Sequence, residues 1–438
     1  MFFRKNTNSI IPFLITIFCI GIVFSLWSNA TLEPKKSPDT YGYLAVAEDL
    51  FHYAASYRPP VYPLFLKFNM ILFDEHWEQM AMFFQIVLHS LSTILVFLMF
   101  RSFFSPLISF ITSLCICCNP SLVFYSTYML PESILGFFIT LTCFFSIKLI
   151  TLDSNNSLIK YKYSIGIGIA SGIAALTKPI WSLGIIPIVF SYLFFHYRYK
   201  TTLIVITLAL FFHFLFPISW KVLKNKHGVI GEKQYLPTIA VCLASLRAGL
   251  IDYGIDTPLY TYIEEKGLLA KAQNMSGKDD ENFRSVYNSL TQKSRYDTEF
   301  AKSIINKAPF KFIIAQLSQW RYFFTNRMFF PGEGSFSGMP DMVRYLYYGG
   351  YNWLYRPFLS LLLCSAILLG IIKKKYRKIL FLCFSIIIYF SLVAAIFSKS
   401  QSVFMRYRAP LEYLLFITAL FPVCNLINII KNRLVFNK

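Results

Sequence analysis

Long apolar stretches recur along the chain, separated by short polar breaks. Ten are candidates to cross a membrane: Ile10–Trp27, Met80–Phe100, Pro106–Val123, Pro131–Ile150, Ser164–Leu176, Ile180–Phe195, Thr201–Trp220, Phe358–Ile372, Ile379–Phe397 and Pro410–Ile430. A helix needs about 20 apolar residues to cross the hydrocarbon core. The period and length favour helices, and the alternating segments of about 10 residues that build a membrane barrel are missing. Val61–Phe73 is apolar but too short to cross, and reads as an interfacial or re-entrant helix. Ser28–Asn29–Ala30 has the small-x-small form of a signal cleavage site, but the run before it is long for a signal and many spans follow. The pattern predicts an all-α membrane protein of about ten transmembrane helices.

One hydrophilic block interrupts the pattern, residues 221–355. It divides the chain into an N-terminal membrane core (1–220, with a first outer loop at 29–79), an extracytoplasmic, mostly helical loop domain (221–355), and C-terminal membrane helices (356–438). Helical patterns are expected at Asp256–Lys271 and Asp279–Lys307, and an amphipathic one at Pro309–Phe324.

Composition agrees with a membrane protein. Of 438 residues, 56% are hydrophobic and 15% charged, against about a quarter charged in soluble domains. The net charge of +20 raises the question of nucleic acid. However, Arg4 and Lys5, Arg101, Lys148, Lys160 and Lys162, Arg198, Lys373–Lys375 with Arg377 and Lys378, and Lys431 with Arg433 alternate with the spans. All fall on one side, as the positive-inside rule requires. Both termini are then cytoplasmic, and no nucleic-acid partner is expected. Lys178 and the loop 399–408 put cations on the other side, which marks them as candidates for function. Eight of the nine cysteines lie in apolar segments, so no disulfide framework or metal site is expected from them.

Candidate chemistry gathers on the outer side. Asp39 follows the first span and suits a general base, a metal-orienting carboxylate or a plain loop charge. Arg58 precedes Pro59 and Pro60, which stiffen its backbone, and its planar fork suits a phosphate. Glu132 sits at a helix start, where the dipole favours an anion. Lys178, Arg406 and Arg408 are cations suited to a lipid-linked phosphate or to anchoring, and Arg408 stands four residues before Glu412, an ion-pair spacing. The six histidines show no zinc-protease spacing, and no phosphate-cradling glycine loop occurs, so a soluble nucleotide-sugar site is unsupported.

These residues fall in motifs: Asp39-x-x-x-Tyr43, Arg58–Pro59–Pro60–Val61–Tyr62–Pro63, Leu130–Pro131–Glu132, Gly168-x-x-x-Gly172-x-x-x-Leu176–Thr177–Lys178–Pro179, and Arg406–Tyr407-x-x-Pro410. In this order they resemble the polytopic glycosyltransferases of the GT-C superfamily. The resemblance is to the branch with the protein O-mannosyltransferases and the lipid A aminoarabinose transferase. It implies a sugar donor carried on polyprenyl phosphate and transfer on the non-cytoplasmic face. The acceptor would be lipopolysaccharide, another surface glycan or protein. It implies Asp39 as the catalytic base, Glu132 as a second catalytic-site residue that supports the site or helps place a metal, Arg58, Lys178, Arg406 and Arg408 on the donor phosphate, and Tyr43, Tyr62 and Tyr407 against substrate. A bacterial inner membrane, with the site facing the periplasm, follows from the same resemblance.

Two departures stand out. Thr40 occupies the place of a second acidic residue found in many relatives, which leaves a divalent metal an open question. Lys178 stands where many have Arg. An O-antigen polymerase or ligase, whose chemistry leans on basic residues in large outer loops, and a lipid-linked sugar flippase are the alternatives.

Overall fold

The computed structural model describes residues 10–29, 33–56, 58–152, 157–195, 199–229, 258–273, 339–397 and 406–436, with isolated positions between 281 and 324. Described secondary structure is helical, apart from one isolated parallel bridge between Lys35 and Tyr128.

The helices follow the hydrophobic pattern: α1 Ile11–Ser28, α2 Pro38–Glu48, α3 Val61–Phe73, α4 Trp77–Phe100, α5 Pro106–Cys117, α6 Pro120–Ser126, α7 Glu132–Thr151, α8 Ser157–Thr177, α9 Ile186–Phe195 and α10 Tyr199–Lys226. Two short helices, α11 Pro258–Glu265 and α12 Leu269–Gln273, lie in the hydrophilic block. The long α13 Asp341–Ile372, α14 Lys374–Phe397 and α15 Glu412–Phe436 complete the described chain. Most of the expected helices at 279–307 and 309–324 lie outside the described residues.

Ten spans were expected; among the described residues six helical stretches are long and apolar enough to cross a membrane, or seven if the bent pair α5–α6 counts as one. The protein is therefore an integral membrane protein. The difference has physical sources. Pro179–Phe195 and Leu359–Ile372 are apolar but short. The expected span Pro106–Val123 is broken at Cys118–Asn119 with a bend of 58°. There the Asn119 side chain accepts from the backbone N–H of Ser121 (2.8 Å) and of Leu122 (3.3 Å), with Pro120 at the first helical position, so a new helix starts.

The chain gathers into two compact units, one of Met1–Val229, Arg327–Phe390 and Arg406–Lys438, the other of Ile230–Asn326 and Ser391–Met405. Every candidate site residue belongs to the first. Within it, α4 packs against α1 and α7, α7 against α8, and α8 against α10. Small residues allow the last approach: a Cβ on Gly168 would come 2.6 Å from the Ala209 carbonyl oxygen. His89 ties three helices together inside the bundle. Its Nε2 lies 3.0 Å from the Cys117 carbonyl, which only accepts, so Nε2 donates there and Nδ1 accepts from the Tyr413 hydroxyl at 2.7 Å.

Candidate active site

The site is built at the start of α2 and α7, just before α3 and α15, and at the end of α8. Ser37 precedes α2, and its backbone N–H donates to Thr40 Oγ1 at 2.9 Å, half of a capping box. The Thr40 hydroxyl in turn donates to the Met129 carbonyl at 3.0 Å and is fully buried. Thr40 thus pins α2 to the segment before α7, a role that a carboxylate, which cannot donate when ionised, would not fill.

Asp39 stands in the first turn of α2 and is part-exposed. Its Oδ1 accepts from Arg58 Nη2 at 2.5 Å, and its Oδ2 accepts from Arg406 Nη1. Burial alone would push its carboxyl up, but Arg406 and Arg58 outweigh it and hold it well below the usual carboxylate range. Arg58 lies over the Tyr43 ring, 4.5 Å from its centroid. Tyr43 stands one turn after Asp39 on the same face of α2, and its ring meets Tyr62 edge-on at 5.1 Å. Gly42 makes room for the guanidinium: a Cβ there would stand 3.2 Å from Arg58 Nε. Sequence reasoning missed Gly42, whose signal was a glycine one turn along the helix from a candidate acid.

Glu132 is the first residue of α7 and is 2% exposed. Its Oε1 accepts from Lys178 Nζ at 2.7 Å and from Arg406 Nε. Burial of such a carboxylate costs several kcal/mol unless it is paired. Its other oxygen, Oε2, and the buried Tyr62 hydroxyl have no hydrogen-bond partner among the described residues.

Lys178 follows α8 and is held by the turn after it. Its N–H donates to the Ala174 carbonyl, and buried Trp181 donates through Nε1 to Ser171 Oγ at 3.0 Å. The ammonium lies 4.6 Å from the centroid of the Tyr407 ring. Burial lowers its pKa from 10.5 to about 8, against the opposing pull of Glu132.

Five charged groups from separate parts of the chain thus join in one line: Arg58, Asp39, Arg406, Glu132, Lys178. Arg406 is its middle, bonded to both acids. Tyr43, Tyr62 and Tyr407 flank it. Arg408 has a different partner, donating from Nε to Glu412 at 2.8 Å, with both side chains buried. That is the i, i+4 pair the spacing allowed.

The two carboxylates suit a metal poorly. Arg406 bridges them, so a divalent cation between them would have to displace a guanidinium. No group of three or more His, Cys, Asp or Glu side chains gathers among the described residues. The donor set does not fit a divalent cation.

Residues 57–220 match the family model for dolichyl-phosphate-mannose-protein mannosyltransferases. That is the branch whose motifs the sequence resembles. The matched span takes in Arg58, Glu132 and Lys178 and stops short of Asp39 and Arg406. Among solved structures, the aminoarabinose transferase ArnT from Cupriavidus metallidurans is similar at 13% identity, covering 96% of this chain and 78% of that one, with a TM-score of 0.43. The same enzyme bound to undecaprenyl phosphate gives 12% identity, 96% and 79% coverage and the same TM-score. An oligosaccharyltransferase from Archaeoglobus fulgidus gives 12% identity and a TM-score of 0.47, covering 99% of this chain but 52% of that one. No curated protein matches the chain.

Proposed function

We propose that the protein is a membrane glycosyltransferase that moves a sugar from a polyprenyl-phosphate carrier to an acceptor hydroxyl. The observation that carries this reading is the charge of the ion line. Arg58, Arg406 and Lys178 face Asp39 and Glu132, which leaves one positive charge in a largely buried setting. A sugar linked through a phosphodiester carries one negative charge, so it neutralises the cluster. The family match over residues 57–220 supports the same donor class.

In this reading Arg58, Arg406 and Lys178 hold the phosphate. Their charge matters most as the glycosidic bond breaks, because the leaving phosphate gains a second negative charge and preorganised cations favour that state. Asp39 accepts the acceptor proton, and a single displacement inverts the anomeric carbon. The three tyrosines line the donor, and Glu132 fixes the cations. The acceptor is a surface glycan, lipid A or a protein, and transfer takes place outside the cytoplasm.

The test uses purified protein in nanodiscs with a radiolabelled polyprenyl-phosphate sugar and an acceptor fraction from the deletion strain. That fraction is identified by comparing masses of surface glycans, lipid A and glycoproteins with and without the gene. Asp39→Asn is expected to lower transfer about 10²- to 10⁴-fold, the usual worth of a general base, with protein level unchanged. Full transfer by the Asn variant would refute the assignment.

A further inference from the structure

Asp39 is bonded to two of the cations that the donor phosphate needs. Its Oδ1 takes Arg58 and its Oδ2 takes Arg406, so one carboxylate occupies the gap between two guanidiniums as a phosphate would. A carboxylate held this way is a poor base. It also competes with the donor. Both costs vanish if the two anions exchange places.

We infer that the donor phosphate unlatches the base: it takes Arg58 and Arg406 from Asp39, and the freed carboxylate then accepts the acceptor proton. This rests on the reading of the site as a polyprenyl-phosphate glycosyltransferase and adds a sequence of events to it. Donor capture precedes base activation, so an acceptor or a water molecule meeting the empty site finds no active base.

The remaining groups around Asp39 fit this exchange. Arg406 stays anchored by Nε on Glu132 while its Nη1 changes partner. Lys178 is held on the same Glu132 oxygen and beside Tyr407. Arg58, in the segment before α3, keeps its place over Tyr43, which shares α2 with Asp39. Glu132 is thus a positioning residue: it keeps two cations in place while the third anion moves.

The charges balance through the cycle. The acceptor O–H proton passes to Asp39. The acceptor oxygen bonds the anomeric carbon, and the bond from that carbon to the phosphate oxygen breaks with its electron pair on the oxygen. Neutralised Asp39 leaves Glu132 alone against three cations, two positive charges in excess. The leaving polyprenyl phosphate, as a dianion, matches them. When that lipid departs, Arg58 and Arg406 return to Asp39 and drive its proton off to water, which resets the latch.

Two measurements on the full-length protein test this. The first is binding of radiolabelled polyprenyl phosphate, the sugar-free product, to the wild type and to Asp39→Asn in nanodiscs. The latch predicts about tenfold tighter binding by the Asn variant, because the competing anion is gone. Equal or weaker binding overturns the latch and leaves the glycosyltransferase reading standing. No binding by either protein overturns that reading itself. The second needs no substitution. A carbodiimide labels protonated carboxyls, so at pH 5 the Asp39 of the free protein is expected to resist it. Saturating polyprenyl phosphate should raise its labelling, read by peptide mass spectrometry, about tenfold. Unchanged labelling with the lipid demonstrably bound overturns the latch.

Discussion

Lys178 differs from Arg58 and Arg406 in that its charge can be lost near neutral pH, because burial brings it down to about 8. Two consequences of opposite sign follow. Above about pH 8 the ammonium loses its proton, so kcat/KM for the lipid donor should fall, approaching tenfold per pH unit. Stability moves the other way. Between about 8 and the ordinary 10.5 the unfolded chain binds more protons than the folded one, so the contribution of this group to stability rises with pH. Lys178→Arg should flatten the alkaline limb of the rate profile, since a guanidinium keeps its charge there, although its fork geometry changes the fit. An unchanged alkaline limb in the Arg variant would remove Lys178 from donor binding. At this scale the sequence spoke clearly about residue types and poorly about partners. Asp39, Arg58, Glu132, Lys178 and Arg406 could be singled out by position. That Arg406 bridges both acids could not, because it pairs residues 367 and 274 positions apart in the chain. Arg408, two residues from Arg406, bonds instead to Glu412 at the start of α15, and a spacing rule was enough to expect that pair.

The helix that leads into Lys178, α8, is positioned by its glycines. A Cβ on Gly172 would stand 2.9 Å from the His213 carbonyl oxygen and 2.8 Å from Phe216, and one on Gly168 would meet the Ala209 carbonyl. Backbone cannot yield as a side chain can. Gly172→Ala or Gly168→Ala should therefore push α8 from α10, at a cost of about 1–3 kcal/mol, read as a lower unfolding temperature in detergent. Gly166 faces only the Phe145 ring, which can turn aside, so Gly166→Ala should cost less. Equal effects at all three would mean that the close approach is not what the glycines serve. Because Lys178 follows α8 directly, the Gly172 variant should also lose donor affinity. The Gly168-x-x-x-Gly172 spacing was legible in the sequence, as were the bounds of α3, since apolar periodicity reports local structure. The kink at Asn119 was missed. Its signal was an Asn–Pro pair inside an apolar run, outweighed there by hydrophobicity. The early start of α14 was missed too, because the basic cluster read as a loop. Lys and Arg are good helix formers, and Lys373 alone breaks the chain between α13 and α14.

Across the whole molecule, charge sits in two kinds of place, and salt should tell them apart. Lys373, Lys374, Lys375 and Arg377 are exposed, and a surface cation loses its reach beyond about 10 Å at 0.1 M salt. The cations of the ion line are different. Lys178 is 8% exposed, and the side chains of Arg58 and Arg406 are 17% and 19% exposed. They are held against protein rather than solvent, and buried charges are screened much less. If the lipid phosphate is held by this line, its affinity in nanodiscs of neutral lipid should fall less than about threefold between 0.1 and 0.5 M salt. If a surface patch captures it, the fall should exceed tenfold, since each exposed contact is weakened separately. The comparison also bears on how the fold works. A site assembled from the starts of α2 and α7, the segments before α3 and α15, and the end of α8 exists only once those elements have packed. Its low exposure is thus a property of the assembled bundle, and a salt-insensitive phosphate would be the functional sign of that assembly.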